Sequence, residues 1–219
     1  MRFKLCFALL SLTAAVGASA APTIGNADVS DVTLNGQAAD NIAFSTENGQ
    51  AGPNGNPSVF DSVFGGSWNL LTKVDSSVNV SPAVLNVAGS TLSMDFALNP
   101  DHTSGTWSIS SAKEMVIDLV LGIHAGGATA SFLFDDEHLA AGASNNGTFK
   151  IDWFNDGGQV PEYSNATLFY KDATLVSAVP EPATYAMMLG GLGLFGFMAS
   201  RKKKDNKRPT QQSATPALS

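Results

Sequence analysis

Thr91-Leu92-Ser93-Met94-Asp95-Phe96-Ala97-Leu98 places Leu92, Met94, Phe96 and Leu98 at every second position, with small or charged residues between them. Side chains alternate between the two faces of a strand, so this octet predicts a β-strand with one face in a core. The same period recurs on both sides of it. Ser104 to Ser110 alternates through Trp107 and Ile109, and Gly147 to Trp153 puts Phe149, Ile151 and Trp153 on one face. Upstream, Asp28 to Gly36 alternates and closes on Asn35-Gly36, which predicts a strand followed by a turn. Asn41 to Thr46 and Gly66 to Val74 read as further strands, separated by a surface loop at 48–58 rich in Asn, Gly and Pro. Met115 to His124 is continuously apolar, which fits a central strand or a short buried helix; its β-branched residues and the Ala125-Gly126-Gly127 turn before Ala128 to Phe134 favour a hairpin. Ala166 to Val176 is the last strand region. Short strands with turns between them, and no sustained 3.6-residue stripe from 21 to 179, predict one all-β domain, an antiparallel sandwich or jelly roll.

The ends of the chain are of another kind. Residues 1–20 carry two early cations, Arg2 and Lys4, an apolar run from Leu5 to Val16, and the small-residue ending Ala18-Ser19-Ala20. That order reads as a secretory signal cut after Ala20, handled by the Sec translocon and signal peptidase. The cut removes Cys6, the only cysteine. The exported part then has no thiol for a disulfide, a metal or a nucleophile, and must hold together by burial alone. The net charge of −7 is unevenly spread. From 21 to 179 there are four lysines (Lys73, Lys113, Lys150 and Lys171) against 17 carboxylates. So acidic a surface repels nucleic acid, and nucleic-acid binding is excluded.

Beyond the domain, Val179-Pro180-Glu181-Pro182 leads into an uncharged apolar run from Ala183 to Ser200 and the basic block Arg201-Lys202-Lys203-Lys204. A helix over 183–200 would rise about 27 Å, near the roughly 30 Å hydrocarbon core of a bilayer. The basic block then acts as a membrane stop on the cytoplasmic side, leaving the β domain outside. The organisation expected is a signal at 1–20, an acidic all-β domain at 21–178, a C-terminal segment at 179–204 and a polar cytoplasmic tail at 205–219.

Catalytic and metal chemistry find little footing. Asp135-Asp136-Glu137-His138 is the densest polar cluster, and Ca²⁺ is the cation its carboxylates would suit, but the spacing is not that of an EF-hand and a solvated acidic turn is the simpler reading. Asn155-Asp156-Gly157-Gly158 is read as a turn. His102, His124 and His138 show no zinc spacing, and no nucleophile elbow is present. No catalytic residue and no metal ligand is assigned, and the chain is read as a non-enzyme without cofactor. Trp68, Trp107 and Trp153 suggest sugar stacking, yet each lies in an apolar strand face and is read as core. The sequons Asn146-Gly147-Thr148 and Asn165-Ala166-Thr167 are given no role.

Taken in order, Pro180-Glu181-Pro182, the Gly- and Leu-rich span and the Arg/Lys block resemble the PEP-CTERM sorting signal of exported Gram-negative proteins. The resemblance covers about 25 residues and implies recognition by an exosortase with cleavage near the Pro-Glu-Pro. It further implies an inner-membrane intermediate facing the periplasm, then a place at the cell surface or in an exopolysaccharide or biofilm matrix. The expectation is a non-enzymatic surface or matrix protein; the alternatives are a carbohydrate-binding module, with or without Ca²⁺, and a glycan hydrolase.

Overall fold

A computed structural model describes residues 21–75, 83–177 and 182–204, so the secretory signal, Pro180, Glu181 and the polar tail lie outside it. The chain divides into two units after Val176. The first holds eleven strands: β1 (Thr33–Leu34), β2 (Gln37–Ala38), β3 (Asn41–Ser45), β4 (Asn69–Asp75), β5 (Ala83–Val87), β6 (Ser90–Leu98), β7 (Ser104–Ser111), β8 (Met115–Ala125), β9 (Ala128–Leu139), β10 (Ser144–Lys150) and β11 (Tyr163–Leu175). They form a hairpin β1-β2, a four-stranded sheet β10-β7-β6-β5 and a five-stranded sheet β3-β9-β8-β11-β4, antiparallel throughout.

The inner faces of the two sheets share one core. Leu92, Met94 and Phe96 on β6 meet Trp107 and Ile109 on β7, and all pack with Ile117, Leu119 and Leu121 of β8 and Phe132 and Phe134 of β9. Phe96 stacks on Phe149 at 4.8 Å and tilts against Tyr163 at 5.3 Å, while Trp107 meets Phe134 at 5.6 Å, so aromatic pairs bridge the layers. Each such side chain contributes about 2 kcal/mol or more by leaving water.

Strand β8 is apolar on both faces because both are covered. Segment 46–68 crosses the outer face of the five-stranded sheet through a 3₁₀ turn at Pro57–Val59 and a one-turn helix, α1 (Asp61–Phe64). It sets Val59, Phe60, Phe64 and Trp68 over Val120 and Phe169, a second and smaller core. Polar ties anchor the segment: the Gln50 amide donates to the Val74 and Ala166 carbonyls at 3.0 and 3.3 Å, and the Lys73 ammonium donates to the Gln50 carbonyl at 2.7 Å.

One expectation needs correction. Asp28 to Val32 is not a strand. Asp28 accepts the Ser30 N–H at 3.0 Å and donates its own N–H to Asp31 at 2.9 Å, so a reciprocal cap winds Val29–Asp31 into a 3₁₀ turn. The turn expected at Asn35-Gly36 does form and joins β1 to β2. Strands β5, β6 and β7 run as a meander, β10 pairs beside β7 and β11 beside β8, and the architecture is a two-sheet antiparallel sandwich.

The second unit contains α2 (Pro182–Lys204). Its described side chains, from Tyr185 to Ala199, are all exposed. Among the described residues no helix is long and apolar enough to cross a membrane. The span expected at 183–200 lies partly outside the positions whose side chains are described.

Candidate functional site

Of the residues expected to form the processing signal, Pro180 and Glu181 lie outside the described part, and Pro182 is the first residue of α2. A proline at the first helical position gives up an N–H that would have no intrahelical partner, so Pro182 starts the helix without loss. Arg201, Lys202, Lys203 and Lys204 form its final turn.

The acidic cluster is not a turn. Asp135 to His138 belongs to β9 and sits on a bulge, marked by a register shift opposite Ile117–Leu119 and by φ of 54° at Asp136. A bulge leaves N–H groups without ladder partners. Here carboxylates take them: Asp136 N–H donates to Asp118 Oδ1 at 3.0 Å, and Asp135 N–H donates to Asp40 Oδ2 at 2.8 Å. Lys171 faces the buried Asp118 at 3.7 Å and lies 4.5 Å over the Trp68 ring. Crowding has an electrostatic consequence. Partial burial, then the nearby Asp118 and Asp136 charges, push the Asp135 carboxyl above the ordinary aspartate range, and burial followed by Asp40 does the same to Glu137. The cluster thus closes a backbone irregularity. His138 turns away to Glu114 at 2.8 Å. Among the described residues no group of three or more His, Cys, Asp or Glu is placed to hold a metal ion.

His124 lies under segment 46–68. Its Nδ1 is 2.9 Å from Thr129 Oγ1, and that hydroxyl donates to the Glu47 carbonyl at 2.5 Å. Burial pushes the imidazole below the usual histidine range. Trp68, Trp107 and Trp153 are all buried, and their indole N–H groups donate to the carbonyls of Gly65, Thr33 and Ala125, so none offers a ring face for sugar stacking.

Two open grooves stand out among the described residues. One, of about 610 Å³, runs over the outer face of the four-stranded sheet beside the β1-β2 hairpin, past Asp95, Thr106, Ser108, Asn146 and Thr148. Its wall is fixed to β10 by Thr33 Oγ1 to Thr148 Oγ1 at 2.8 Å and by the Asn35 N–H to the Asn146 carbonyl at 2.8 Å. The other, of about 660 Å³, lies between the turn at 66–69, the β5-β6 turn and β11 at 170–173, lined by Asn69, Asn86, Tyr170, Lys171 and Asp172. Sequence reasoning did not find either one. The first is assembled from four separated segments and the second from three, and the local sign of the second, a non-glycine residue with positive φ, cannot be read from composition.

Comparison with known proteins bears on the C-terminal segment. No curated protein matches the chain. A solved structure, the Salmonella enterica trimeric lipoprotein SadB, is similar at 11% identity and a TM-score of 0.34 over 49% of this chain and 63% of that one, less than two thirds of its length. Residues 178–203 match the model of the PEP-CTERM protein-sorting motif, so the chain carries a PEP-CTERM sorting motif, which implies export and an exosortase as processing partner.

Proposed function

We propose that this chain is a non-enzymatic protein of the cell surface or extracellular matrix, held briefly by its C-terminus and freed by processing at Pro180-Glu181-Pro182. The sorting motif at 178–203 carries the reading. On this view the Sec translocon and signal peptidase remove 1–20, and the apolar run from Ala183 to Ser200 crosses the inner membrane. Arg201 to Lys204 stops it at the cytoplasmic face, and the acidic sandwich waits in the periplasm. The exosortase then acts on the outer side. Each proline biases its predecessor away from helix, so the sequence of the motif favours a segment that a cleft can grip ahead of the helix that starts at Pro182. A role in an exopolysaccharide or biofilm matrix fits a thiol-free acidic domain that needs no redox partner.

The test follows the mass of the exported protein in cells with an active exosortase. Wild type should lose the residues beyond the motif, while the triple variant Pro180→Ala, Glu181→Ala, Pro182→Ala should keep them and stay with the membrane fraction. If both forms keep the C-terminal tail, the processing reading is wrong.

A further inference from the structure

We infer that the groove between the turn at 66–69, the β5-β6 turn and the bulge of β11 binds a neutral oligosaccharide. The first ground is unmet hydrogen bonding. The side chains of Asn69, Asn86, Tyr170 and Asp172 line this one groove, and none makes a side-chain hydrogen bond among the described residues. Asn35, Asn56, Asn99 and Asn155 are by contrast committed, to Asn145, to Glu47, to Ser104 and to the Gly157 and Gln159 N–H groups. Four planar or aromatic polar groups that converge without internal partners are positioned for an external one.

The second ground is backbone shape. Asn69 is the last β4 residue to pair with β11, at Tyr170, so β11 continues past that point with no neighbour on that side. Its register with β8 then slips between Lys171 and Thr174, which lifts Asp172 and Ala173 out of the ladder. Ser67, Ala88 and Asp172, one from each wall, all hold positive φ, at 79°, 49° and 48°. Non-glycine residues rarely adopt that conformation, and its recurrence on three converging segments favours a shaped site over three unrelated turns.

The third ground is chemistry. Each sugar hydroxyl both donates and accepts, and pairs of vicinal hydroxyls match amides and a carboxylate. Lys171 is not free to attract an anion, because Asp118 and the Trp68 ring already hold it. An acidic polymer would also approach a domain of four lysines and 17 carboxylates. The polar lining does not suit a lipid. A neutral, polyhydroxylated ligand is what remains. This inference stands independently of how the C-terminus is processed.

The experiment uses the full chain in detergent micelles, titrated by calorimetry with cellotetraose, laminaritetraose and mannotetraose, and with tetragalacturonate as the acidic counterpart. At least one neutral tetrasaccharide should bind, with dissociation below about 10 mM. Asn86→Ala and Asp172→Asn should each weaken it about tenfold or more, since each removes hydrogen bonds to the ligand. Asp95→Asn, in the other groove, should leave it unchanged. Absence of binding by all three neutral sugars overturns the inference. So does tighter binding of tetragalacturonate, or loss of affinity in Asp95→Asn without loss in the other two variants. Should the groove variants misfold, wild type supplies the readout: saturating sugar must protect Tyr170 from radical oxidation, and unchanged labelling of Tyr170 refutes the site.

Discussion

At Ala88 the backbone holds φ of 49° with no side-chain group to compensate, and Gly89 follows at 82°. Together they make a two-residue turn between β5 and β6 of the kind that favours Asn-Gly. An alanine in that conformation costs about 1 kcal/mol, so Ala88→Asn should raise the thermal midpoint by a few degrees. Gly147 is the opposite case. A Cβ there would run into the Thr33 carbonyl and the Trp107 indole nitrogen, so Gly147→Ala should cost about 3 kcal/mol in denaturant titration. Tyr163 is buried, and its hydroxyl donates to the Val74 carbonyl at 2.9 Å; burial holds its ionisation well above the usual range. Tyr163→Phe removes one of two side-chain donors to that carbonyl, the Gln50 amide being the other, and should cost about 1 kcal/mol. His124 contributes a pH dependence. Its folded-state pKa lies below the ordinary 6.5, so the unfolded chain takes up its proton first as pH falls. Stability should decline from about pH 7 to pH 5 in urea titrations, and His124→Gln should flatten that slope.

At the scale of elements, the bulge of β9 works against His124. Asp135 and Glu137 have raised folded-state pKa values, so their protonated forms favour the fold below the ordinary carboxylate range, and that support is lost as pH rises through the raised values. Asp135→Asn and Glu137→Gln should therefore be more stable than wild type at pH 7, with the difference closing below about pH 4. The alternation of Leu92, Met94 and Phe96 revealed β6 and its buried face, and the Asn35-Gly36 pair marked a real hairpin. Asp28 to Val32 misled because a capped 3₁₀ turn and a strand can share an alternating pattern. Asp135 to His138 misled for a related reason: charge density resembles a turn, and only the cross-strand partners Asp40 and Asp118 show why acid is tolerated on a strand. Residues 48–58 read as a surface loop, and α1 after them is one turn long, too short for a periodic signal. The burial of Phe60 could not be read, since it packs on Phe169, a residue of β11 distant in sequence. Phe60→Ala should cost about 3–4 kcal/mol and open 46–68 to protease before the sheets melt.

For the whole molecule, the order of strands in space differs from their order in time. β11 is the last strand of the domain, yet it lies inside the five-stranded sheet, between β8 and β4. β4 has no other partner in that sheet, so it cannot dock until β11 arrives. An exported chain passes its N-terminus first, and everything up to about residue 160 would wait on the far side of the membrane as unpaired edges and bare apolar faces. Pairings across such sequence distances close slowly. A chain truncated after 160 should thus show no cooperative unfolding, and release of β11 should set the moment of folding. The sorting segment begins within a few residues of that strand. On the proposed route, arrest of the C-terminus at the membrane would supply time, keeping the domain attached and isolated from its neighbours while its last strand is inserted, so that only a finished sandwich would be presented to the processing enzyme.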